Sequence, residues 1–170
     1  MNTEPKSNEP LPESAAESTV ESVIAEHPFL RGLTPEHQRL LAGSALRVRF
    51  NPDELIFQEG EPANRFYLIE KGRVLLESHL KDEAAVQVQV IGPGDVLGWS
   101  WLFPPSFWHF DARASGPVTA IFFYGTRLRE QCEQDRDFGF EMMKRMTHVV
   151  INRLQATRGQ LLAARRRGPD

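Results

Sequence analysis

Cysteine is nearly absent: Cys132 is the only one in 170 residues. A single thiol excludes an internal disulfide and any zinc site built on cysteine clusters. No apolar run reaches the roughly 18 residues of a membrane-spanning helix, and no basic-then-apolar leader opens the chain, so a cytoplasmic chain without membrane contact is expected. Positive charge is not in excess either. The formal net charge is −3, and no whole-protein field draws the chain to nucleic acid or to an anionic membrane. What remains, 41% hydrophobic and 25% charged residues, suits one folded domain long enough to bury a core.

Residues 1–18 combine Pro, Glu, Ser and Asn with almost nothing apolar, which predicts a disordered tail. Two short helices follow. Val20, Val23 and Ile24 mark one that ends before Pro28; Thr34 as N-cap, Pro35 at the first helical position and Leu40 and Leu41 mark the other. From Leu46 the period shortens, and short apolar runs are cut every eight to twelve residues by Gly, Pro, Asn or Asp, the pattern of a sandwich or barrel. "AVQVQVI" is the clearest strand, with Val86, Val88 and Val90 on one face and Gln87 and Gln89 on the other. Lys71-Gly72 reads as a hairpin turn.

From Thr126 the period lengthens again. A short helix precedes a helix of roughly thirty residues whose stripe holds Phe140, Met143, Thr147, Val150, Ile151, Leu154 and Leu161, weakened at Gly159. Such a helix extends about 45 Å, more than one small barrel covers, so the stripe predicts a homodimer through the C-terminal helix. The expected organisation is a tail over 1–18, a barrel domain over 19–133 and a dimerisation helix over 134–167. Arg165, Arg166 and Arg167 read as a solvated helix end.

All three tryptophans fall within "GDVLGWSWLFPPSFWHFDARA", residues 94–114. The ordered set "YLIEKGRVLL", "VIGPGDVLGWSWLF" and "ARASGPVTAIFF" resembles the cyclic-nucleotide-binding domain family, over roughly residues 28–155. The resemblance implies a mainly β fold: an antiparallel β jelly-roll barrel with N-terminal helices and a long C-terminal helix. It also implies a phosphate-binding cassette, in which a short helix offers free N–H groups to the cyclic phosphate. In the family a Glu after the helix-leading Gly accepts from the ribose hydroxyl, and an Arg forks onto the phosphate.

Here Gly98 matches the leading Gly, but the Glu position holds Trp99 and the ungapped Arg position holds Trp108. Losing the partner of a buried, hydrogen-bonded charge costs about 2–5 kcal/mol, and two partners are gone. No cofactor is therefore expected, and neither cAMP nor cGMP is expected to bind tightly. The candidate ligand-binding residues of this degenerate cassette are Gly98, Trp99, Ser100, Trp101, Leu102, Trp108, His109 and Arg113. The first reading is a dimeric regulatory or sensory module whose helical packing transmits either a different ligand or a regulatory partner protein. A second is a binding protein whose Trp-rich pocket takes an apolar, cationic or aromatic molecule. A third shifts the register so that Arg113 becomes the phosphate ligand. No catalytic constellation is present, His27, His37, His79 and His148 lack metal-ligand spacing, and an enzyme is not expected. Because the chain ends at Asp170 without a helix-turn-helix segment, direct DNA binding is not expected.

Overall fold

The computed structural model describes residues 18–79 and 84–167. The expected tail thus lies, apart from residue 18, outside the described residues. Helix α1 (Val20–Glu26) starts at Thr19, whose hydroxyl accepts from the Ser22 amide at 3.2 Å. A 3-10 turn (Pro28–Leu30) leads to α2 (Pro35–Ala42), where the Thr34 hydroxyl accepts from the His37 amide at 3.2 Å. Both caps satisfy amides that have no partner within the helix.

Eight strands follow: β1 (Leu46–Phe50), β2 (Leu55–Phe57), β3 (Arg65–Lys71), β4 (Val74–Ser78), β5 (Val86–Ile91), β6 (Val96–Leu97), β7 (Asp111–Ala114) and β8 (Val118–Tyr124). They form two antiparallel four-stranded sheets, ordered β1-β8-β3-β6 and β2-β7-β4-β5. This is the expected jelly-roll layout, although the described strands make two facing sheets and no closed barrel. Gly72 turns β3 into β4 at φ +86°, and a Cβ there would stand 2.2 Å from the Pro117 carbonyl oxygen, so only glycine fits.

Strand alternation divides the core in two. On β3 and β8, Tyr67, Ile69, Ala120 and Phe122 point between the sheets, while Phe66, Leu68, Ile121 and Phe123 point outward into a second cluster with the helices. Both faces of these central strands are covered, which is why their sequences read as nearly continuous apolar runs. The second cluster is completed by Ile24, Leu30, Leu41 and Leu128.

Helix α3 (Gly125–Gln134) and helix α4 (Arg136–Arg167) close the chain. Asp135 starts α4, its carboxylate accepting from the Phe138 amide at 3.0 Å and lying 3.0 Å from His37 Nε2. That amide bond, with His37 beside it, holds the Asp135 carboxyl below its usual range. Gly159 does not interrupt the helix.

Two sequence patterns gain their placement in the structure. Val86 and Val90 on β5 are exposed while Ile91 is buried, so the valine face of this strand points outward and does not form core. On α4 there are two apolar stripes instead of one. Phe138, Met142 and Met146 are fully buried against the second cluster, whereas Phe140, Met143, Ile151, Leu154 and Leu161 are exposed.

Candidate ligand-binding cassette

The segment between β6 and β7 holds the tryptophans. It leaves β6 at Gly98, whose φ is +88°; a Cβ there would sit 2.7 Å from the Arg65 carbonyl oxygen and 2.9 Å from Trp108 Cη2. The helix expected next is a single 3-10 turn, Ser100–Leu102, with no side-chain cap. So short a turn offers few aligned amides to an anion. Arg129 of α3 ties the turn down by donating to the Trp101 carbonyl, and it also lies 3.3 Å from the Ser106 hydroxyl.

The three indoles have three different fates. Trp101 is fully buried in the outer cluster, tilted against Phe66 with ring centroids 5.9 Å apart. It belongs to the helical core and not to a pocket. Trp108 is 3% exposed and stacks on Phe57 at 3.8 Å between centroids and 11° between planes. It lies in the core between the sheets. Trp99, half-buried, stacks on the exposed His109 at 5.6 Å and meets Phe103 edge-on at 6.2 Å. Neither Trp101 Nε1 nor Trp108 Nε1 has a hydrogen-bond partner among the described residues, so both rings are held by packing.

Gly98, Trp99, Ser100, Trp108 and His109 therefore converge, and the space they leave is about 20 Å³. That is the room of about one water, far below the roughly 300 Å³ at which small-molecule pockets begin. Of the two arrangements open to these rings, a Trp-lined pocket or collapse into the vacated cavity as core, the structure has the second for Trp108, which occupies the volume itself. Leu102 is only half-buried and packs against the outer cluster.

The register that makes Arg113 a ligand is corrected. On β7, Ala112 and Ala114 point into the core between the sheets, so alternation turns Arg113 outward. Its guanidinium lies 3.3 Å from Glu77 Oε2 and donates to the Asp53 carbonyl at 3.0 Å. It does not line the residual space. The guanidinium that does is Arg153 of α4, which donates to the Val96 carbonyl at the base of the cassette. Arg153 was legible in principle, because it continues the buried spacing Phe138, Met142, Met146, Val149 into a charged residue.

Two antiparallel sheets, a Gly-led turn between β6 and β7, and a return strand, β7, paired between β2 and β4 frame this site. The family model for the cyclic nucleotide-binding domain matches residues 47–135. The chain belongs to that family. Among curated proteins it is similar to a CRP-like cAMP-activated global transcriptional regulator of Mycobacterium tuberculosis, 25% identical over 142 residues, covering 84% of this chain and 62% of the relative. It is also similar to the transcriptional activatory protein AadR of Rhodopseudomonas palustris, 32% identical over 130 residues, covering 74% of this chain and 50% of that one. The chain thus spans under two thirds of the length of these relatives. Among solved structures it resembles a candidate cyclic nucleotide-binding protein from Geobacter metallireducens GS-15, with TM-score 0.72 and 27% identity, covering 81% of this chain and 99% of that one. As a cyclic nucleotide-binding domain it is a regulatory module by family. No described helix is long and apolar enough to cross a membrane, and no described cluster of three His, Cys, Asp or Glu side chains could hold a metal.

Proposed function

We propose that this chain is a homodimeric, non-catalytic regulatory module whose cassette is closed to cAMP and cGMP. The observation that carries the reading is Trp108 stacked on Phe57, leaving about 20 Å³ where a nucleotide would have to lie. Two further facts support it. The positions at which family resemblance implies a Glu and an Arg hold Trp99 and Trp108, and the residual space is bordered by one guanidinium, that of Arg153, already engaged by a backbone carbonyl.

With the cassette filled, signalling runs through helix packing. The exposed stripe Phe140, Met143, Ile151, Leu154 and Leu161 on α4 is the surface on which a second copy docks, burying apolar side chains that the single chain leaves in water. A partner protein then reads the state of the dimer. Sedimentation of the full chain tests this: a dimer at micromolar concentration is expected, converted to monomer by Leu154→Arg, while the tryptophan emission stays unchanged on adding cAMP or cGMP. A monomeric wild type would end the dimer reading, and a saturable emission change would end the closed-cassette reading.

A further inference from the structure

The long helix meets the sheets across a second cavity, which shares only Arg153 with the space beside Trp108. It measures about 360 Å³ and is bounded by Pro28 and Phe29, by Gln89 and Asp95, and by α4. The helix lines it with Arg145, His148, Asn152 and Arg153. At 100° per residue Arg145 and Arg153 lie on the side of α4 away from the exposed stripe of Phe140, Ile151 and Leu154, while His148 and Asn152 lie on the flank between the two.

The charges in this cavity do not balance internally. Arg153 carries five N–H donors, and its only hydrogen-bond acceptor among the described residues is the Val96 carbonyl. No carboxylate among the described residues lies within ion-pair distance of it, and burial pushes its pKa down to about 10. Arg145 lies 3.3 Å from Glu141, but Glu141 also takes Lys144 at 2.6 Å, so one carboxylate serves two cations. Arg145 Nε is buried with no partner among the described residues. His148 adds an exposed imidazole at the mouth. The one carboxylate on the wall, Asp95, is exposed and accepts from the Gly92 amide at 3.0 Å. The Asp95 charge acts on Arg153 only from beyond ion-pair distance, and burial outweighs it; a guanidinium so placed is costly unless an anion meets it, and planar guanidinium forks match carboxylate and phosphate oxygens.

We propose that the cavity between the β5–β6 turn and α4 binds a small oxyanion, a carboxylate or phosphate group of a low-molecular-weight ligand, on Arg153, Arg145 and His148. The volume, about 360 Å³, takes a compact metabolite and not an oligomer. Because Arg153 already grips Val96 on the sheet while riding on α4, an anion bound there would fasten the helix to the roll. The site stands independently of how the cassette is read, since it shares with it only Arg153.

Isothermal titration of the full chain with inorganic phosphate and, separately, with malonate, each against chloride at matched ionic strength, tests the proposal. Submillimolar, saturable binding of at least one probe is expected, weakened about tenfold or more in Arg153→Gln and in His148→Glu. Binding of phosphate alone assigns a phosphorylated ligand, and of malonate alone a carboxylate. His148→Glu changes an exposed side chain and keeps the test decisive if Arg153→Gln does not fold. Absence of binding above the chloride control, or binding unchanged in His148→Glu, overturns the proposal.

Discussion

Replacing Trp108 by alanine should destabilise the chain more than any change in a loop normally would. The ring is 3% exposed and lies flat on Phe57 at 3.8 Å. A buried aromatic of this kind removes about 150–250 Å² from water, worth about 4–6 kcal/mol at roughly 25 cal/mol per Å². An unfolded chain already hides part of that area, and truncations of core tryptophans cost about 3–5 kcal/mol, so the lower range applies. In a chain of this size each kcal/mol moves Tm by about 2–4 °C, giving a drop of roughly 6–20 °C. Urea titration and calorimetry would measure it. The vacated volume, lined by Phe57, Leu76 and Leu97, is apolar, so added indole should bind there and recover part of the lost Tm. A loss below about 1 kcal/mol, the range of an ordinary surface substitution, would refute the packing argument, because it would mean that Trp108 is not a core residue.

Two further outcomes follow from titratable groups. His27 is buried, its Nδ1 accepts from the Phe29 amide at 3.3 Å, and burial holds its pKa below 6.5. The unfolded chain therefore takes a proton that the folded chain resists. The stability contributed is complete above pH 6.5 and is lost as pH falls below it. The urea midpoint should decline on acidification from neutral pH in wild type and decline less in His27→Gln; parallel declines would contradict this. Cys132 is pushed up to about 11 from 9.0 by burial and by the neighbouring Glu133 and Asp135, leaving about a hundredfold less thiolate at neutral pH. Alkylation by iodoacetamide should be correspondingly slower than that of free cysteine, and equal rates would show the thiol to be exposed.

The strand and helix order was readable because local signals and tertiary demands agree. Thr19 and Thr34 cap the helices they announce, and Gly72 stands where nothing else fits. What the sequence left open shares a cause: periodicity tells which residues lie on one face but not what that face meets. Val86, Val88 and Val90 do alternate, yet β5 turns them outward. The stripe read on α4 was the exposed one, and the buried stripe of Phe138, Met142 and Met146, three large side chains at i, i+4 and i+8, went unread. At the cassette, the substitutions at Trp99 and Trp108 were legible, since a missing charge is visible in one dimension. That Trp101 packs outward against Phe66 while Trp108 packs inward against Phe57 was not, because the two lie on opposite sides of one sheet that the sequence crosses without a mark. Arg153 was missed because it reaches the site from a helix about fifty residues later in the chain.

The central claim is that an indole fills the space in which this family holds its nucleotide. Calorimetric titration of cAMP and of cGMP into the wild-type chain tests it most directly. No saturable heat is the predicted result, and a micromolar Kd for either nucleotide would contradict the account.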